Sequence, residues 1–263
     1  MRHTTWESMT LKNAFLAALL CAAASLAGAS EPPRLHLLTE SSPPTSMRSG
    51  TEVIGSGTEK VREIMNRTGT GYTLELLPWR RAYTMVQQQA DTCLFSTSRT
   101  PEREDLFKWV GPTDEADWVL LGRADRNFHL RTLDDARNLR IGTYHGDARD
   151  EYLRARGFLV DPAPVDMMNP RKLMLDRIDL WAASLRRGTT LTKQNSWGEN
   201  IIPVLTFNRI GVYLACNRAV PSDLIDRMNA ALEGMGRDGT MQKIDHKYQK
   251  WVEDMQPKAT SAQ

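Results

Sequence analysis

The stretch Cys93–Pro112, CLFSTSRTPEREDLFKWVGP, sets small hydroxyls among arginines. It opens apolar at Cys93, Leu94 and Phe95, as the end of a buried strand does. It then turns to Ser96, Thr97, Ser98 and Thr100, with Arg99 and Arg103 among them. Pro101 suits the first position of a helix, where its missing N–H is not needed, and Thr100 then takes the N-cap. A strand end, a polar loop and a helix start bring free N–H groups, hydroxyls and a guanidinium to one point. Such a set can hold a carboxylate or another small anion. The alternative is a surface turn whose arginines are merely solvated.

Other chemistries find less support. His36, His129, His145 and His246 form no i, i+4 pair and stand near no cysteine couple, so neither a metal nor a cofactor is expected. There is no G-x-S-x-G elbow and no cysteine nucleophile with a plausible base. Glu102 and Glu104 flank Arg103, but adjacent helix residues point apart, which does not suit two-carboxylate catalysis. The glycines lack the G-K-[ST] of a phosphate loop and a dinucleotide fingerprint. A net charge of +2 without a dense Lys/Arg run gives no reason to expect a nucleic-acid partner.

The elements that must position the cluster follow from composition and periodicity. The 263 residues, 41% hydrophobic and 25% charged, suit one large domain or two lobes. Arg2 and Lys12 precede an apolar run from Ala14 to Ala24, followed by Ala27-Gly28-Ala29. This describes a secretory signal peptide over 1–29, to which the residues before Met9 add nothing, so that translation is expected to start at Met9 and the protein to be exported. The run is too short for a membrane span. Cys93 and Cys216 both lie in apolar strand-like runs, where they either pair or stay as buried thiols.

Leu35–Leu38 reads as a strand, and Ser56-Gly57-Thr58-Glu59 fits a capping box before a helix that Gly69 ends. Tyr72–Leu76 is a strand, Pro78 opens a helix, and a strand runs into Phe95. Strand, helix, strand, helix, strand implies a parallel sheet, with ligands beyond the carboxyl ends of its strands. A second unit has strands at Trp118–Leu121, 140–143, 163–166, 178–183 and 201–205. Its helices span 147–156 and 169–176, the latter capped by Asn169. A strand at Val212–Cys216 follows Gly211, then helices start at Ser222 and Asp238. The tail 257–263 is polar and expected to be disordered.

The order of these elements, and the segments TESSPP (39–44), TPER (100–103), IGTYHGD (141–147), DRIDLWAAS (176–184) and DGTMQKIDHKY (238–248), resemble the periplasmic solute-binding proteins of family 3, which serve polar amino-acid uptake. The resemblance spans roughly Leu35 to Trp251. It implies an α/β fold of two periplasmic-binding-protein lobes (type II), each a mostly parallel sheet flanked by helices, joined by a two-strand hinge. Lobe 1 would be 30–114 with 211–256, and lobe 2 would be 118–206.

The resemblance also implies a non-enzymatic monomer that captures a small carboxylate-bearing, amino-acid-like ligand for an ABC-type permease. A sensor for a membrane receptor in trans is the alternative. A cyclohexadienyl-dehydratase-like enzyme is a lesser one, with Glu40, Asp147 or His145 as its acid. Carried over, Arg103 grips the ligand carboxylate, Ser98 assists and Ser96 offers backbone. The loop His145, Gly146, Asp147 and Ala148 presents N–H groups from across the cleft.

Two departures bear on the ligand. Ser184 stands where family members carry an aspartate for the α-ammonium, and Thr45 stands where an aromatic wall is common. Either the ligand lacks that ammonium, or Glu40 or Asp147 takes the role. Trp79 is a candidate for the missing aromatic wall, while Trp181 belongs to the core.

Overall fold

The computed structural model describes residues 34–254, so the signal-peptide reading and the tail 257–263 lie outside the described residues. In β1 (Leu35–Thr39) Leu35, Leu37 and Leu38 are all fully buried, the mark of a strand covered on both faces. It runs parallel to β4 (Tyr72–Leu76) on one side and to β5 (Thr92–Ser98) on the other. A separate hairpin of β2 (Met47–Ser49) and β3 (Glu52–Ile54) precedes helix α1 (Ser56–Thr68). Helix α2 (Trp79–Gln88) connects β4 to β5.

Two 16-residue strands, β6 (Lys108–Arg123) and β10 (Ile201–Cys216), run antiparallel through the middle. Beyond them lie β7 (Ile141–Tyr144), helix α3 (Ala148–Ala155), β8 (Val160–Ala163), helix α4 (Met168–Met174), β9 (Leu180–Ser184) and helix α5 (Leu185–Gln194). Helices α6 (Ser222–Arg237) and α7 (Thr240–Asp254) end the described chain. The eight-stranded sheet has the order β4-β1-β5-β10-β6-β9-β7-β8.

Alternate residues of one strand feed opposite layers. Leu37 and Phe95 pack with Ile64, Met65 and Met228 on one face, while Leu38 and Leu94 pack with Ala82 and Val86 of α2 on the other. The far half repeats the plan. Leu121, Trp181 and Ala183 meet Leu173 and Leu191, and Leu120, Leu180 and Ala182 meet Leu153. Trp181 is thus core, and its indole N–H donates to Asp166 Oδ1 at 2.8 Å. Cys93 and Cys216, neighbours in the β5–β10 register, form a disulfide.

The directions of the strands decide where a site can lie. β1, β4 and β5 run toward the middle of the sheet from one side, and β7, β8 and β9 run toward it from the other. Their carboxyl ends therefore face each other. Ser98 ends β5 opposite Val212, which pairs with Asp114, while Ser184 ends β9 opposite Trp118. Four residue steps of β6 separate the two ends, about 13 Å at the rise of a strand.

Several expected details differ. The capping box at Ser56 is not formed; Gly55 is the N-cap at φ 134. Backbone carbonyls of the preceding loop do the capping instead. Pro44 O accepts from Ser56 N, and Thr45 O accepts from Gly57 N and Thr58 N. Glu59 turns away to accept from Tyr248 Oη and Lys247 of α7. A Cβ on Gly55 would stand 2.2 Å from Thr45 O, so only glycine permits this approach.

The third strand of the far half ends at Ala163 rather than starting there, and the two late strands are one, β10. Asn169 does not cap α4. Its amide donates to Thr143 O and Asp166 Oδ1. Helix α5 has no counterpart in the sequence reading. LRRGTTLTKQ contains a glycine and three threonines, poor helix formers, and burial of Arg187 and Leu191 overrides that propensity.

Candidate ligand-binding cleft

Between the facing strand ends lies a cavity of about 270 Å³, a size for a small solute. Glu40, Thr45, Trp79, Ser96, Ser98 and Arg103 line it from one side. Tyr144, Asp147, Ala148, Arg149, Ser184 and Arg187 line it from the other, and the 114–118 segment of β6 forms its floor.

Arg103 sits in the 3-10 turn Pro101–Leu106, whose start at Thr100 and Pro101 is the one expected. It is 1% exposed. Glu151 Oε2 lies 2.9 Å from both its Nε and its Nη2, and Nη2 also donates to Gly146 O at 3.0 Å. The guanidinium carbon lies 4.7 Å from the ring centre of Tyr83 and 6.0 Å from that of Trp79. Burial works against its charge, but the hydrogen bond and charge of Glu151, together with Tyr83 and Asp147, hold it above its ordinary value. Its Nη1 is buried without a partner.

The two serines, two residues apart on β5, share the face that lines the cavity. Ser96 has φ 61, a left-handed conformation uncommon outside glycine, and the Thr97 hydroxyl turns back to donate to Leu94 O at 3.0 Å.

Glu40 is the first residue past β1. Its carboxylate accepts from Tyr144 Oη at 2.8 Å and pairs with Arg187 Nη1 at 3.0 Å. Burial, set against these two donors, raises its carboxyl above the ordinary value. Burial and the charge of Glu40 push the Tyr144 hydroxyl well up. Arg187 Nε also lies 2.9 Å from Asp166 Oδ2, an ion pair whose N–H is not aligned for a hydrogen bond. Asp147 is gripped by both Nε and Nη2 of Arg149, at 2.7 and 2.9 Å.

Ser96, Ser98, Arg103, Glu40, Trp79, Asp147, Ala148 and Ser184, all named in the sequence analysis, line this one cavity. The loop 145–148 needs correction. His145 is exposed and lines no part of the cavity, and its N–H donates to Ala163 O. Gly146 crosses the cleft with its carbonyl rather than its N–H, accepting from Trp79 Nε1 at 2.6 Å and from Arg103. The physical reason is the turn after β7, where the N–H groups of His145 and Asp147 are used locally and the carbonyl is left outward. Trp79 is both packing and wall, 7% exposed and stacked on Tyr83.

The sequence reading missed Tyr144, Arg149 and Arg187. Tyr144 stands inside the IGTYHGD segment and was within reach. Arg187 was not, because it sits on the unforeseen α5.

The family model for bacterial extracellular solute-binding proteins, family 3, matches residues 35–251, and the chain belongs to that family. Similar solved structures include an ancestral arginine-binding protein bound to arginine (TM-score 0.72, 20% identity, 82% of this chain and 98% of that one). A histidine kinase sensor domain with similarity to periplasmic binding proteins also aligns (TM-score 0.76, 18% identity, 82% and 96%). A third is the arginine-, lysine-, histidine-binding protein of the thermophilic bacterium Geobacillus stearothermophilus (TM-score 0.72, 15% identity, 86% and 97%). At these identities the likeness is one of fold. No curated protein matches the sequence.

Proposed function

We propose that this chain is a periplasmic binding protein that captures a small carboxylate-bearing, amino-acid-like solute between two lobes and delivers it to an ABC-type permease. The lobes are 30–114 with 211–256, and 118–206, hinged where β6 and β10 cross. The observation that supports this most is Arg103, a buried guanidinium lining the cavity with Nη1 unpartnered beside Ser96 and Ser98. A planar fork of this kind suits a carboxylate, and a buried one gains more from it than a solvated one. The arginine-binding neighbours favour an amino-acid-like ligand. Ser184, uncharged on the opposite wall, favours one not held by an aspartate at that position. Glu40 pairs with Arg187 and Asp147 with Arg149, and no catalytic role is assigned to either carboxylate.

A sensor role in trans is the second reading, favoured by the likeness to a kinase sensor domain. Both readings need the same ligand site. A thermal-shift screen over amino acids, dicarboxylates, polyamines and aromatic acids finds the ligand; at 100 times its dissociation constant it adds about 2.7 kcal/mol of stability. Arg103→Ala then weakens binding by roughly 2–5 kcal/mol in calorimetry. Wild-type affinity in that variant would remove Arg103 from the site.

A further inference from the structure

A guanidinium offers a carboxylate two bidentate approaches, the Nε/Nη2 edge and the Nη1/Nη2 end, and both use Nη2. In Arg103 both are taken by the opposite half of the molecule. Glu151 Oε2 lies on the Nε/Nη2 edge, 2.9 Å from each nitrogen, and Gly146 O accepts from Nη2 at 3.0 Å. Only Nη1 remains free, enough for a one-point contact. Glu151 lies on α3, in the half that carries β7 to β9, and its side chain is 35% exposed against 1% for Arg103. The more exposed partner can swing into water; the guanidinium is fixed between Tyr83, Trp79 and the 3-10 turn.

We propose that Glu151 is a built-in rival of the ligand carboxylate: it clasps Arg103 across the cleft and must leave that edge before a ligand can grip the fork with two oxygens. This rests on the reading of Arg103 as the carboxylate site. The rival sets a threshold, because a ligand gains affinity only by the amount its carboxylate outcompetes Glu151. A solute with one carboxylate and no further contacts meets that threshold poorly; one that also engages the cavity wall meets it more easily.

The Arg103 Nε–H signal in ¹⁵N-labelled protein, assigned by its loss in Arg103→Lys, reports which carboxylate occupies the edge. The probes are sodium formate, L-glutamate and L-arginine. Glu151→Ala should make Nε–H exchange with water at least roughly tenfold faster, and any probe that binds should do so roughly tenfold more tightly than to wild type and slow the exchange again. Glu151→Gln should show a smaller gain in affinity than Glu151→Ala, because the amide keeps the shape and loses the charge. Unchanged exchange in Glu151→Ala overturns the clasp and leaves Arg103 free to be a carboxylate site. Faster exchange with equal or weaker probe binding overturns the rivalry. Faster exchange with no probe binding either protein, and none slowing the exchange, overturns the carboxylate reading of Arg103 itself.

Discussion

At the residue scale, Glu40 and Arg103 show one logic with opposite outcomes. Each is a buried charge facing an opposite charge from the other half of the sheet, but burial wins at Glu40 and the partner wins at Arg103. For Glu40 this fixes the sign of a pH dependence. Its folded carboxyl holds a proton at higher pH than an unfolded one, so its contribution to stability is fully present below about pH 4.5 and is lost as pH rises through the raised value. Urea titrations at pH 4 and pH 7 should therefore show wild type gaining on Glu40→Gln at the lower pH. A gain that grows toward pH 7 would mean that Arg187 and Tyr144 outweigh burial. Asp238 behaves oppositely. The hydroxyl and N–H of Thr240 and the Arg67 guanidinium lower it to about 2, so its contribution persists above its ordinary value of 3.8 and is lost as pH falls through about 2.

At the scale of elements, the middle strands do the joining. β10 returns the chain from the far half to pair with β5, and the Cys93–Cys216 bridge ties them across 123 residues of sequence. Because the loop is long, the entropy removed from the unfolded chain is large, on the order of 4–5 kcal/mol by the chain-entropy relation. The double variant Cys93→Ala/Cys216→Ala should lose much of that in equilibrium unfolding, with 2–5 kcal/mol as the usual range. A loss under 1 kcal/mol would show that β5, β10 and their covering helices persist in the unfolded ensemble.

At the scale of the molecule, the two halves hold each other by side chains as well as by β6 and β10. Arg103 reaches Glu151 and Gly146 O, Trp79 reaches Gly146 O, and Glu40 meets Tyr144 and Arg187. These bridges lie at the cavity, where they hold the two facing sets of strand ends together. Removing both bridging carboxylates in Glu40→Gln/Glu151→Gln should increase the radius of gyration measured by small-angle X-ray scattering at fixed ionic strength. An unchanged radius would mean that the crossing strands alone set the separation of the halves.

The sequence by itself determined the alternation of strands and helices, because apolar runs such as LHLLT and periodic faces such as Val61, Ile64 and Met65 carry local signals. It also determined the turn that holds Arg103, since Thr100 and Pro101 start it. What it could not show was what Arg103 would meet. Glu151, 48 residues away on another helix, reaches it only because two sets of strands point their carboxyl ends at each other. Nor could it show Arg187, whose helix forms against local propensity through burial in the tertiary structure. The capping at Gly55 and the outward carbonyl of Gly146 were likewise decided by which backbone groups the packed fold left for each other. Local periodicity fixes elements over a few residues, whereas charge pairing and desolvation depend on distances that exist only once the chain has folded.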